Sequence, residues 1–287
     1  MTRIVYVNGD YLPEDEARVS VFDRGFLMAD GVYEVTTVLD GRLVDFEGHA
    51  RRLDRSLTAL GMDRPLDDAG LLAMHRTLVA RNALDEGMVY MQVTRGNPGD
   101  RSFVMPDPGT VPPTLVAFTQ AIPALAMAPA ARTGTRVVTI PDRRWGRRDI
   151  KTVQLLYPSM GKMLARAAGC DDAWFVEDGH VTEGTSNNAC IVTGNRIVTR
   201  PLSEDILHGI TRAAVLRLAA ELQMEVEERP FTVAEAQAAD EAFATAATIL
   251  VMPVVEIDGV AVGGGMPGPV AARLREIYLE AMRAAAV

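Results

Sequence analysis

The chain has 287 residues with a net charge of −9, and 48% of them are hydrophobic, enough to bury one large core or two moderate ones. The acidic balance argues against nucleic acid or a membrane surface as partner, since either calls for a basic face. Cys170 and Cys190 fit no metal-ligand spacing and are too few for a disulfide framework. Without a signal-like N-terminus or an apolar run of membrane length, a cytoplasmic protein is expected.

Strand signals open the chain at residues 4–7 and 11–13, on either side of the hairpin dipeptide Asn8-Gly9. Residues 31–39 read as a β-branched strand that turns at Asp40-Gly41 into a short strand over 42–46. Leu53, Leu57 and Leu60 share a face of a helix over 47–60, and a second helix covers 68–82. Buried strands are expected at 88–95 and 114–119, separated by a Gly/Pro-rich loop over 96–113. The small, uncharged stretch 121–131 is bracketed by prolines and reads as a linker. It would join a small N-terminal α/β domain, 1–120, to a larger C-terminal α/β domain, 132–287. Within the latter the patterns give a strand (135–141), a helix (155–168) and a strand (172–176). The turns Asp178-Gly179 and Gly194-Asn195 set off further strands. A helix at 211–222, strands at 225–230, 241–248 and 254–257, and a C-terminal helix at 269–284 complete the set.

Only two lysines occur against 27 arginines. One of them, Lys151, follows the basic stretch Arg143-Arg144-Trp145-Gly146-Arg147-Arg148, between a strand and a helix. Lysine, unlike arginine, can lose its proton and attack a carbonyl to form a Schiff base, so Lys151 is the candidate holder of an aldehyde cofactor. A pyridine-based cofactor needs an acid beside its ring nitrogen to keep the ring an electron sink, and Glu183 in Val181-Thr182-Glu183-Gly184-Thr185-Ser186-Asn187-Asn188 can supply it. In Leu207-His208-Gly209-Ile210-Thr211-Arg212, Gly209 frees the backbone. The amides of Ile210 and Thr211 then open a helix, a site suited to a phosphate. The segment 244–248 ends a strand and offers that phosphate the Ala247 amide and the Thr248 hydroxyl. Arg52, one turn after His49, is a candidate charge partner for it.

Taken together these segments resemble the fold-type IV pyridoxal-phosphate enzymes, and within them the D-amino-acid transaminases. Asp23-Arg24-Gly25, Asp30-Gly31-Val32-Tyr33-Glu34, His49-Ala50-Arg51-Arg52-Leu53 and Thr94-Arg95-Gly96 match the N-terminal half of the pattern. Asp149-Ile150-Lys151, Val181-Thr182-Glu183-Gly184, Gly209-Ile210-Thr211-Arg212 and Met252-Pro253-Val254 follow in the same order. The resemblance implies a two-domain α/β fold in a homodimer whose partner completes the substrate pocket, with pyridoxal 5'-phosphate as cofactor. It implies that Lys151 forms the Schiff base and shuttles the substrate α-proton while Glu183 pairs with the ring nitrogen. Arg52, Ile210, Thr211 and Thr248 would hold the phosphate, and Ser186 and Leu207 would line the ring. Tyr33 and Arg101 fit two of the family's three substrate-carboxylate partners; Phe103 stands where the third, a histidine, would be. Ala246 and Ala247 replace hydroxyl residues of the family. The activity implied is amino transfer between a D-amino acid and a 2-oxo acid. An (R)-selective amine transaminase, a branched-chain L-amino-acid transaminase and an aminodeoxychorismate lyase are the alternatives on the same scaffold. Lys162, in a helical stretch without polar company, reads as a surface residue.

Overall fold

A computed structural model describes residues 2–287. The chain divides into two compact units. The first comprises the residues up to Leu125 together with Ile150–Gln154 and Ala285–Val287; the second comprises Ala126–Asp149 and Leu155–Ala284.

In the first unit the Asn8-Gly9 turn, both residues at positive φ, joins β1 (Ile4–Val7) to β2 (Asp10–Pro13). A short helix α1 (Arg24–Met28) precedes β3 (Gly31–Leu39) and β4 (Arg42–Leu43). Then come α2 (Phe46–Ala59), α3 (Asp68–Arg81), β5 (Gly87–Thr94) and β6 (Thr114–Ala121). All pairings are antiparallel, in the order β2-β1-β6-β5-β3-β4. Side chains alternate across such a sheet. One face of β3 and β5 sends Val32, Val38, Val89, Met91 and Val93 into the core. There they meet Phe46, Ala50, Leu53 and Leu57 of α2 and Leu71, Met74 and Leu78 of α3. The opposite face carries Tyr33, Tyr90 and Phe118, half-buried, with Tyr90 stacked between the other two. The strand expected over 42–46 is shorter than the pattern suggests. Asp45, at positive φ, turns the chain, and Phe46 already opens α2 and packs in the core.

The second unit holds α4 (Ala130–Thr133), β7 (Thr135–Pro141), α5 (Leu156–Ala167), β8 (Asp172–Glu177), β9 (His180–Gly184), β10 (Asn188–Thr193) and β11 (Arg196–Thr199). They are followed by α6 (Ile210–Glu221), β12 (Glu225–Glu228), α7 (Val233–Gln237), β13 (Glu241–Ala246), β14 (Leu250–Ile257), β15 (Val260–Ala261) and α8 (Pro269–Ala285), whose last residue counts with the first unit. The mixed sheet runs β12-β11-β10-β13-β14-β7-β8-β9, with β15 on β14. β7 pairs in parallel with both β8 and β14. Its strands are apolar over consecutive residues because both faces are covered. Trp174, Val137, Ile191, Val198, Val254, Ile257 and Phe231 pack in this core. Thr232 and Glu235 form a reciprocal cap on α7.

The division at Leu125/Ala126 lies inside the stretch read as a linker, which itself begins with the last residue of β6. No local signal marks the two later returns to the first unit. In one, Val287 and Leu43 exchange backbone hydrogen bonds of 2.8 and 3.0 Å, extending the edge of the antiparallel sheet. The other carries Lys151, so the expectation that all of 132–287 belongs to one domain does not describe it.

Candidate active site

The first unit holds Lys151 by its backbone. Tyr33 N–H donates to the Lys151 carbonyl (2.9 Å), Val153 N–H donates to the Gly31 carbonyl (3.1 Å), and Val32 and Thr152 form an antiparallel bridge. Ile150, just before it, is buried in the core. The segment is thus an added piece of strand on β3, which fixes the lysine where a free loop would not. Its Nζ lies 4.0 Å from the centroid of the Tyr33 ring. The Tyr33 expected at the substrate and the Lys151 expected at the cofactor are therefore neighbours.

Tyr33 and Glu34 are consecutive on β3, so they point to opposite faces. Glu34 faces α2, where Arg52 donates from Nε and Nη2 to its two oxygens (2.8 and 2.7 Å) and His49 Nδ1 lies 2.8 Å away. All three residues are buried. Burial alone would raise the Glu34 pKa. The Arg52 charge and hydrogen bonds, with His49, override it and hold the carboxyl well below the usual range. Arg52 thus has its charge matched from within the same unit. Arg101 and Phe103 stand on the loop after β5. Phe103 is 81% exposed, and the Arg101 guanidinium carbon lies 4.9 Å from its ring centroid.

In the second unit Glu183 sits on β9, 3% exposed. One carboxylate oxygen accepts from Arg144. The other accepts from Asn188 Nδ2 and from the Leu207 N–H, each at 3.0 Å. Burial raises its pKa, and Arg144 opposes the shift without cancelling it. Arg144 is shared: Asp142 accepts from its Nε (3.0 Å) and Nη2 (2.6 Å), and Thr182 Oγ1 adds a 2.7 Å bond to Asp142. Asp142, Arg144 and Asn188 have no role in the sequence-based site. The only hint is the Asp-x-Arg spacing of Asp142 and Arg144 where the basic run begins, and the folded strands alone bring it to Glu183.

Gly209 is the N-cap of α6, and no side chain caps that helix. The amides of Ile210 and Thr211 belong to its first turn, where no intrahelical acceptor exists. A Cβ at Gly209 would run into the Asn188 amide oxygen, so only glycine brings the backbone this close. Asn188 also donates to the Leu207 carbonyl (2.9 Å) and lies opposite Thr245 on β13. The Thr245 hydroxyl is buried with no hydrogen-bond partner. Ala247 and Thr248 form the turn into β14, with Leu250 buried at positive φ beyond it. Ser186 is exposed while its neighbours Thr185 and Asn187 are buried. Each of these neighbours donates to Asp172 at 2.6 Å. Lys162 pairs with the same Asp172 at 2.9 Å. It therefore has polar company the sequence does not reveal, and it braces the turn that carries Ser186.

Each unit by itself offers groups that fit part of a phosphorylated pyridine aldehyde. In the second, uncapped α6 amides and the orphaned Thr245 hydroxyl match phosphate oxygens and a buried carboxylate matches a ring cation; in the first, a lysine matches an aldehyde. Among the described residues no group of three or more His, Cys, Asp or Glu is placed to hold a metal, and no helix is long and apolar enough to cross a membrane.

The chain belongs to the class IV amino-transferases, whose family model matches residues 31–257. It is 38% identical to the D-alanine aminotransferase of Bacillus licheniformis over 92% of each chain. It is 34% identical to the D-alanine aminotransferase of Staphylococcus aureus (strain MSSA476) over 95% of each. Among solved structures it resembles the branched-chain amino acid aminotransferase from Thermobaculum terrenum in its PLP form. The TM-score is 0.85 at 25% identity, covering 99% of this chain and 94% of the other. The two-domain α/β fold expected from the sequence is the fold of these enzymes.

Proposed function

We propose that the protein is a pyridoxal-phosphate-dependent transaminase that moves an amino group between a D-amino acid and a 2-oxo acid such as pyruvate or 2-oxoglutarate. The observation that carries this reading is Lys151, a lysine in an arginine-rich chain, tied by its backbone to β3 with its ammonium against the Tyr33 ring. The D-preference is supported by relatives named D-alanine aminotransferases that align over nearly the whole length.

The cofactor, when bound, supplies an aldehyde for a Schiff base and an electron-withdrawing ring. Lys151 would hold it and, once the substrate amine takes its place and frees its own, would take and return the substrate α-proton. Glu183, its second oxygen fixed by Asn188 and Leu207, holds a proton at the ring nitrogen. Ser186 and Leu207 would line the ring. Gly209 seats the start of α6 against Asn188, and the amides of Ile210 and Thr211 would hold the phosphate, with Ala247, Thr248 and Arg52 as further partners. Tyr33 and Arg101 bind the substrate carboxylate, and Phe103 makes the remaining side of that pocket apolar.

The working form is a homodimer. Each unit exposes apolar side chains that a second copy would cover: Val21, Phe22 and Phe26 in the first, and Leu156, Met160, Met163 and Leu164 along α5 in the second. The exposed Phe103 in place of a polar carboxylate partner favours one second reading, an (R)-selective amine transaminase.

The test is a half-reaction. Protein reconstituted with pyridoxal phosphate is mixed with D-alanine, L-alanine or (R)-1-phenylethylamine while the visible band is followed. Bleaching by D-alanine alone, restored by 2-oxoglutarate, is the expected result. Bleaching by the amine alone supports the second reading, and bleaching by L-alanine alone contradicts both.

A further inference from the structure

The motif Asp23-Arg24-Gly25 and the acid Asp30 have no part in the site described above, yet both are almost fully enclosed. Arg24 is 4% exposed, and the Asp30 side chain is 8% exposed. The Asp23 carboxylate caps α1 by accepting from Gly25 N–H (2.8 Å), and it accepts from Thr94 Oγ1 at the end of β5 (2.9 Å). A Cβ at Gly25 would press into Thr94, which keeps α1 tight against that strand. Arg24 is thereby aimed at the loop that follows β5. Its N–H donates to the Gly96 carbonyl (2.9 Å), its Nη1 donates to the Ser102 carbonyl (2.6 Å), and its Nε donates to Asp30 (2.6 Å). The same Asp30 oxygen accepts from Arg95 Nε (2.8 Å). The other arms of Arg95 donate to the Leu60 and Gly61 carbonyls (3.0 and 3.2 Å).

The outcome is a buried clamp on a loop that is otherwise long and exposed. Loops of this length without secondary structure sample many conformations, and a group carried on one binds weakly unless the loop is held beforehand. The Ser102 carbonyl gripped by Arg24 lies between Arg101 and Phe103, both on the solvent side. The planar guanidinium reaches Asp30 with one edge and Ser102 with another, a two-armed geometry that an ammonium cannot copy.

We propose that Arg24, seated on Asp30, is a positioning residue for substrate recognition: it fixes the backbone between Arg101 and Phe103 and so holds the Arg101 guanidinium ready for the substrate carboxylate. The inference rests on the reading of Arg101 as the carboxylate partner. It assigns a role to residues that touch neither substrate nor cofactor.

The experiment is a double-mutant cycle on the reconstituted enzyme with Arg24→Ala, Arg101→Ala and the pair, using D-alanine and the carboxylate-free D-alaninamide. Arg24→Ala should raise KM for D-alanine by ~10-fold or more, with kcat changed less than ~3-fold and KM for D-alaninamide unmoved. In the Arg101→Ala background the same change should add almost nothing, because Arg24 acts through Arg101. Additive effects, or equal effects on both substrates, overturn the proposal. Arg24→Lys keeps a cation on Asp30 and guards against a folding defect; it should show the same selective rise in KM, and a wild-type KM overturns the proposal. A second readout needs no substrate: tryptic cleavage after Arg101, followed by mass, should speed up by ~10-fold or more in Arg24→Lys. An unchanged cleavage rate overturns the clamp whatever the substrate proves to be. Faster cleavage with no D-alanine turnover in the wild type overturns the D-amino-acid reading instead.

Discussion

Two glutamates, one in each unit, are buried to nearly the same extent and each bonds an arginine, yet their acidities move in opposite directions. Glu34 takes two charged hydrogen bonds from Arg52 and a contact from His49, so its ionised form is fully compensated. Glu183 has one arginine arm, from a residue held by two other bonds to Asp142, and two neutral donors. For Glu183 burial prevails. An arginine beside a buried acid therefore says little until its other commitments are counted. Glu34 is built to stay charged and hold Arg52 in place. Glu183 is left with an unmet demand for positive charge, which suits a group that must hold a proton at a ring nitrogen.

The contrast is open to direct attack. Glu183→Gln should cut transamination ~10²–10³-fold, as for loss of a preorganised charge partner, while leaving stability in urea nearly unchanged because Asp142 still compensates Arg144. Glu34→Gln should do the reverse. It strips a buried guanidinium of that carboxylate and should cost ~3–5 kcal/mol in the same assay. Equal stability losses from the two changes would abolish the distinction.

The pH dependence of unfolding separates the two acids further. The Glu34 pKa is depressed in the folded state. Its stabilisation is therefore complete above the ordinary carboxylate range and is lost as pH falls through that range toward the depressed value. The Glu183 pKa is raised, so the folded protein binds that proton more tightly than the unfolded chain. The folded state then loses stability as pH rises through the raised value. Urea titrations between about pH 7 and about pH 4 should show Glu34→Gln flattening the acid loss. Glu183→Gln should gain on the wild type as pH rises. Parallel curves for all three proteins would contradict both assignments. The smallest expected effect is that of Lys162→Met. Half-exposed and paired with Asp172, Lys162 should contribute no more than ~1 kcal/mol, with the turn at Ser186 slightly loosened.

The sequence revealed what depends on local pattern and concealed what depends on how distant segments meet. The hairpin at Asn8-Gly9 and the strand Gly31–Leu39 were legible because turn chemistry and β-branched runs are written in neighbouring residues. Lys151 and Glu183 stood out by residue type and company. Helices α1 and α4, of five and four residues, are too short to show a period and were missed. The Thr232/Glu235 capping box before α7 was legible in principle and overlooked. The return of Ile150–Gln154 to β3 is a pairing across more than a hundred residues, and nothing in the neighbouring residues announces it. Arg144 was visible only as one arginine in a basic run. Its place between Asp142 and Glu183 follows from the mutual register of β7, β8 and β9.

Everything proposed for the site depends on Lys151 holding the aldehyde, and a chain with only two lysines makes that a clean test. Protein reconstituted with pyridoxal phosphate is reduced with borohydride, digested and mapped by mass. A pyridoxyl adduct on Lys151 and none on Lys162 is expected, with loss of the visible band in Lys151→Ala while the fold persists. An adduct on Lys162 or at the N-terminus, or an unchanged band in Lys151→Ala, would contradict it.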